Sequence, residues 1–356
     1  MLTWHIFTSP PRRQQLKLII QIPCLNEEAQ LPNMLSTLPK QVEGFTKVEW
    51  LVIDDGSTDR TIQVAKKYGV HHIVKLPQNK GLAAAFQAGI DASLKLGADV
   101  IVNTDADNQY DSSYIPALTK PVLEGLADIS IGERDLRNHK EFSKLKIKLQ
   151  LLGSWVVRKA SGTNVPDATT GFRAYSKEAA IQLTVINNYT YTIESIIQAG
   201  KANSAIISTP IKTNPKTRDS RLFGSMWGYI RRNALTIVRV FSAYEPIKFF
   251  GFISLVMFLM SCVAFSPFVF DLLFTGDSSG HIQSIVLGAI LSLGALQVLG
   301  LGILADQIYS NRLVTQRLLE KTKRLEISNQ ISPTYYFDDA HLDLNKPLEV
   351  DTAYFI

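Results

Sequence analysis

Two apolar runs, residues 247–270 and 282–304, constrain this 356-residue chain more than any other feature. The first opens with Lys248 and carries no further charge before Asp271; the second carries none. Each exceeds the ~20 helical residues that cross a bilayer core ~30 Å thick. The competing reading is a pair of buried helices in a large soluble core, but two uncharged runs of this length are rare there. Composition agrees with a membrane pair. The chain is 46% hydrophobic and 19% charged, more apolar than a typical soluble enzyme, and the excess is concentrated in these runs.

Charge around the runs orients them. Arg231, Arg232 and Arg239 precede the first, and Arg312, Arg317, Lys321, Lys323 and Arg324 follow the second. The link 271–281 holds Asp271 and Asp277 but no Lys or Arg. The positive-inside rule then predicts a hairpin with both flanks in the cytoplasm and the short link outside. Pro10, Pro11, Arg12 and Arg13 interrupt any early apolar run, so no signal peptide is expected. Just before the first span, Met226, Trp227, Ile230, Ala234, Ile237, Val238 and Phe241 share a helical face opposite Arg232, Thr236 and Arg239. That pattern predicts an amphipathic juxtamembrane helix over 224–246; a helix packed on the preceding domain is the alternative. The expected organisation is a cytosolic α/β domain over 1–223, this helix, a transmembrane hairpin over 247–304, and a cytosolic helix and tail over 305–356.

The first 223 residues read as a separate α/β unit. Leu16–Ile20, Val48–Ile53 and Ala98–Val102 are strand-like apolar runs, and each ends in a polar loop followed by a helix-like segment. In a mostly parallel sheet such loops gather at the carboxyl edge, where ligands bind. The third loop, Asn103-Thr104-Asp105-Ala106-Asp107-Asn108-Gln109, sets two carboxylates one residue apart at a strand end. With the Gln109 amide oxygen they form a hard oxygen set suited to Mg²⁺ or Mn²⁺ on a diphosphate. An acidic pair in an ordinary solvated turn is the plainer reading. A second acidic cluster, Asp54-Asp55-Gly56-Ser57-Thr58-Asp59, lies about fifty residues upstream and favours the metal reading. No GxGxxG or GxxxxGK[ST] run is present, which argues against a dinucleotide fold and a P-loop kinase. Cys24 and Cys262 fall in cytosol and membrane, so no disulfide is expected, and His71 and His72 read as structural.

Together Pro23-Cys24-Leu25-Asn26-Glu27-Glu28, the Asp54–Asp59 cluster, Asn79-Lys80-Gly81 and Asp105-Ala106-Asp107 resemble family 2 glycosyltransferases of the GT-A fold. Asp167-Ala168-Thr169-Thr170-Gly171-Phe172-Arg173 is similar to the polyprenyl-phosphate branch, which includes dolichyl-phosphate mannose synthases. The resemblance covers roughly residues 14–245. Cys24-Leu25 stands where the family often has a small residue and an aromatic.

The resemblance implies an inverting enzyme that moves one sugar from a UDP- or GDP-linked donor to undecaprenyl or dolichyl phosphate. Its partners would be that nucleotide sugar, the lipid and the membrane; no nucleic acid is expected, and a homo-oligomer is compatible. Asp105, Asp107 and Gln109 would hold Mg²⁺ or Mn²⁺. Pro23, Asn26, Glu28, Asp54, Asp55, Lys80, Gly81, Asp105 and Arg173 would line the nucleotide-sugar site. Asp107, Arg134, Asp167 and Arg221 would be catalytic, with Arg134, Arg218, Ser220 and Arg221 facing the acceptor phosphate. Glu194 would reach the sugar. A processive polysaccharide synthase and a non-catalytic scaffold that keeps the fold are the alternatives. The first lacks its Gln-x-x-Arg-Trp motif here, and intact Asp105, Asp107 and Arg134 speak against the second.

Overall fold

A computed structural model describes residues 15–135, 144–185, 191–214, 235, 238–239, 242–274, 280–328 and 336–339. The chain divides into two compact units. One comprises residues 1–142, 163–219 and 323–356, and the other 143–162 and 220–322.

The first unit is built on one sheet. Its strands are β1 (Lys17–Cys24), β2 (Lys47–Asp54), β3 (His72–Lys75), β4 (Val100–Asn103), β5 (Ile129–Arg134), β6 (Arg173–Ser176), β7 (Ile206–Ile211) and β8 (Tyr336–Asp339), in the order β7-β5-β6-β4-β1-β2-β3-β8. Around it lie α1 (Leu31–Thr37), α2 (Thr61–Lys67), α3 (Leu82–Lys95), α4 (Ile115–Leu123), α6 (Lys177–Gln182) and α7 (Tyr191–Lys201); α5 (Lys144–Ser161) belongs to the second unit. β1, β2, β3 and β4 run parallel, and β1 and β4 are buried along almost their whole length. Near-continuous Ile, Leu and Val in them is what burial on both faces requires.

Two topological facts position the site. The chain winds outward from β1 to β2 and β3, then returns to place β4 on the other side of β1. That reversal is a switch point, and loops diverging there leave a crevice. β1 pairs with β4 only up to Gln21 opposite Asn103, whereas its pairing with β2 continues to Cys24 opposite Asp54. The three residues Ile22, Pro23 and Cys24 therefore border the gap from one side. Second, β6 runs antiparallel to β4 and β5, with Arg173 opposite Asn103 and Ile131. Its entry loop, rather than its exit, thus reaches the carboxyl edge.

The C-terminus is less separate than the sequence suggests. Lys323 donates to the Leu183 carbonyl (2.8 Å) and pairs with Asp91 (3.0 Å), while Arg324 pairs with Glu178 (2.6 Å). β8 adds an antiparallel edge to β3. Residues 323–328 and β8 thus pack with the sheet, a long-range pairing that local pattern does not encode. Likewise 143–162 leaves the expected 1–223 domain for the second unit.

In the second unit, α8 (Pro246–Phe274) and α9 (Ile282–Ser328) are long and apolar enough to cross a membrane. Only 11% and 17% of their most apolar stretches are buried, whereas the core helix of a soluble fold is mostly buried. Ser254 Oγ donates to the Ala295 carbonyl and Ser261 Oγ to that of Gly288, both at 2.7 Å, which satisfies these buried hydroxyls and ties the two helices together. Span and following basic segment form one 47-residue helix. The juxtamembrane helix lies mostly outside the described residues; 235, 238–239 and 242–244 are helical.

Candidate active site

The loops after β1 and β2 are stitched together. Asn26 N–H donates to Ser57 Oγ (2.9 Å), and Asn26 Oδ1 accepts from Thr58 N–H (2.8 Å). Glu28 N–H donates to Asp59 Oδ2 (3.0 Å), and Glu28 Oε2 accepts from Arg60 N–H (3.2 Å). Asn26 and Glu28, expected to line the donor pocket, thus spend these oxygens on the neighbouring loop and shape the rim. Cys24 is buried beside them. Burial, then Glu27 and Asp54, push its thiol well above the ordinary value, so it is no nucleophile.

Asp54 and Asp55 have distinct roles. Asp55 accepts from Lys80 N–H (2.7 Å) and Gly81 N–H (2.9 Å), clamping the turn that opens α3. Those two N–H groups are engaged by Asp55, which leaves the Lys80 side chain as the part of this turn that could face a ligand. Asp55 is likewise an anchor of that turn. Gly56 lies so close to it that a Cβ would fall 2.6 Å from Asn79 N, and its φ of +74° also favours glycine. Asp54 is fully buried; its Oδ1 accepts from Ser57 N–H (3.2 Å), while Oδ2 has no hydrogen-bond partner among the described residues. Burial raises its pKa. A buried acceptor without a partner is one that a ligand or water donor would satisfy.

The loop after β4 carries the paired carboxylates. Asp107 Oδ1 accepts from Gln109 N–H (3.1 Å), and the Gln109 carbonyl accepts from Asn214 N–H (2.9 Å). Asn214 Nδ2 also donates to the Asn108 carbonyl (2.9 Å), where Asn108 takes φ +55°. The segment after β7 therefore braces this loop. Burial, and then the Asp107 charge, push the Asp105 carboxyl up to about 7. Two carboxylates that resist joint ionisation form a site a divalent cation would relieve. No group of three or more His, Cys, Asp or Glu side chains suited to a metal occurs among the described residues. The donor set fits Mg²⁺ or Mn²⁺ that takes its remaining ligands from substrate phosphates and water.

Arg134 and Asp167 form the opposite wall. Arg134, ending β5, donates from Nε to Asp167 Oδ2 (2.7 Å) and from Nη2 to Oδ1 (3.1 Å) and Thr169 Oγ1 (2.8 Å). Burial works against the Asp167 charge, but the Arg134 guanidinium outweighs it and holds the carboxyl below its usual range. Arg173 is placed inside the fold. It is fully buried, and its donors serve the carbonyls of Ala168, Thr170 and Thr192 and Ser195 Oγ. A charge at the start of β6 reads like a ligand residue in sequence; antiparallel pairing turns it inward. Glu194 is buried, and its Oε1 accepts from Gln198 Nε2 (3.3 Å). Arg218, Ser220 and Arg221 lie outside the described residues.

Sequence reasoning missed Asn103, Tyr110 and Tyr191, which gather around Gly171. A polar residue closing an all-apolar strand was the one signal that marked Asn103.

A model of glycosyl transferase family 2 matches residues 19–184. An uncharacterized protein of Methanocaldococcus jannaschii is 32% identical over 55% of this chain and 81% of its own length. The chain belongs to glycosyl transferase family 2. This glycosyltransferase is also 29% identical to a UDP-N-acetylglucosamine–dolichyl-phosphate N-acetylglucosaminyltransferase of Methanococcus voltae, over 54% of this chain and 83% of that one. It is 24% identical to a dodecaprenyl-phosphate galacturonate synthase of Rhizobium johnstonii, over 83% and 88%. Among solved structures, glucosyl-3-phosphoglycerate synthase from Mycobacterium tuberculosis superposes with a TM-score of 0.52 at 20% identity, covering 65% of this glycosyltransferase and 80% of that chain. That likeness shows the fold, which is GT-A-like.

Proposed function

We propose that this glycosyltransferase moves one sugar from a nucleotide diphosphate, UDP-linked by preference, to a polyprenyl phosphate in the membrane, with inversion at the anomeric carbon. The observation that carries the reading is the joining of two features in one chain: the Asp105–Asp107 pair at a switch-point crevice and an outward-facing apolar helix pair. Relatives named for dolichyl- and dodecaprenyl-phosphate acceptors support it.

The chemistry follows from the acceptor. A phosphate monoester is already anionic near neutral pH, so its oxygen needs no strong base to attack. Asp167, ion-paired and held low, is a weak base, which suits such an acceptor better than a sugar hydroxyl. The work left is to gather two anions and stabilise the leaving diphosphate. Asp105 and Asp107 would hold Mg²⁺ or Mn²⁺, which supplies charge to the diphosphate; the Gln109 side chain is a further candidate ligand. Pro23 and Asp54 would border the nucleoside. Arg134, fixed by Asp167, would present its remaining edge to phosphate. Arg218, Ser220 and Arg221 would draw in the lipid phosphate.

The deciding assay supplies labelled sugar nucleotides with one polyprenyl phosphate. Label entering an organic-extractable lipid is expected; label only in a water-soluble polymer, or in no product with any donor, overturns the reading. Topology is tested separately. A cysteine at Ser279 should be labelled from outside intact cells and one at Ser328 should not. The reverse pattern would put the sheet unit on the side away from cytosolic sugar nucleotides.

A further inference from the structure

Gly171 sits where three side chains from distant parts of the chain meet. Its N–H donates to Tyr110 Oη (3.0 Å), and its carbonyl accepts from Asn103 Nδ2 (2.8 Å). The same Asn103 amide donates to Tyr191 Oη (3.1 Å), and Asn103 Oδ1 accepts from Gln21 Nε2 (2.9 Å). The Tyr191 ring stacks on Phe86, with centroids 4.0 Å apart and planes 13° from parallel. A Cβ at residue 171 would fall 2.5 Å from Tyr191 Oη and 3.2 and 3.4 Å from the two Asp105 carboxylate oxygens. The Tyr191 hydroxyl and the Asp105 carboxylate thus border one small space that only glycine leaves open.

The surroundings make this space rigid. Arg173 ties the carbonyls of Ala168 and Thr170, before and beside Gly171, to Thr192 and Ser195 at the start of α7. Gly171 and Tyr191 are therefore held as one piece. Because Tyr191 Oη accepts from Asn103, its own hydrogen remains to be donated.

We propose that Tyr191 is a positioning residue for Asp105: its hydroxyl, fixed by Asn103 and by the stack on Phe86, sets the aim of that carboxylate across the gap kept open by Gly171. This rests on the reading of Asp105 and Asp107 as the divalent-ion pair. A carboxylate aimed beforehand loses less freedom on binding a cation, so removing its guide weakens metal binding without touching the nucleoside contacts.

The test uses the full chain in detergent and follows Mn²⁺ in the presence of UDP by electron paramagnetic resonance. Tyr191→Phe keeps the ring and removes the hydroxyl. It is expected to raise the Mn²⁺ dissociation constant about tenfold, with metal-free UDP binding unchanged and the unfolding temperature nearly so. Unchanged Mn²⁺ affinity, with or without lost stability, leaves Tyr191 a packing residue and overturns the proposal. If Tyr191→Phe fails to fold, Phe86→Leu carries the test: it keeps the hydroxyl but frees the ring, and should weaken Mn²⁺ binding measurably; unchanged affinity there overturns the proposal. Asp105→Asn separates the two levels. If it also binds Mn²⁺ normally, the metal reading falls and this inference with it; if it loses Mn²⁺ while Tyr191→Phe does not, only the inference falls.

Discussion

Asp107→Asn is expected to lower turnover ~100-fold or more while the protein stays folded. Asp107 is one of only two carboxylates in the proposed cation site, and its Oδ1 is already aimed by the Gln109 N–H. Losing one of two charges removes much of the pull on a hard divalent ion. Chelator should abolish activity, and Mg²⁺ or Mn²⁺ should restore it; full activity in chelator would defeat the metal reading. The pH dependence has a definite sign. In the metal-free fold the Asp105 carboxyl is pushed up to about 7, above its ordinary value near 4. The folded state thus favours its protonated form, so this group's contribution to metal-free stability falls as pH rises from about 4 to 7. Protons compete with the cation over the same window. Thermal stabilisation by Mn²⁺ should therefore grow from pH 6 to pH 8, and a stabilisation independent of pH would exclude Asp105 as a ligand.

Arg134→Ala is expected to destabilise the sheet unit by about 3–5 kcal/mol, because it strands a buried carboxylate. Asp167 is 1% exposed, and both its oxygens take donors from Arg134. The unfolding temperature should fall by about 10 °C. The double variant Arg134→Ala/Asp167→Asn should recover much of that loss, since no charge is then buried alone. Activity should not recover, because the guanidinium toward phosphate is still missing. Recovery of both would reduce Arg134 to a structural ion pair. A single-variant loss under 1 kcal/mol would show that Asp167 is solvated without it.

What the sequence determined is local. Apolar strands ending in polar loops, paired carboxylates at β4, and two nearly uncharged runs flanked by Arg and Lys follow from periodicity and burial, and these specify an α/β domain joined to two helices long and apolar enough to cross a membrane. The motif loops after β1, β2 and β4 follow strand ends that pair in parallel in one sheet. Their division of labour was decided by tertiary structure. Asp54 and Asp55 are adjacent and chemically alike, yet one keeps a buried oxygen open and the other is consumed by the α3 turn, because adjacent side chains at a strand end leave in different directions. Arg173 looks like a ligand residue in its motif, but the antiparallel pairing of β6 with β4 and β5 buries it. Asn103, Tyr110 and Tyr191 carry no motif; they converge on Gly171 from positions up to 88 residues apart. Joining β8 to β3 across both long apolar helices is the extreme case. Hydrogen-bond partners so distant in sequence are fixed by strand order and register, which short-range patterns do not specify.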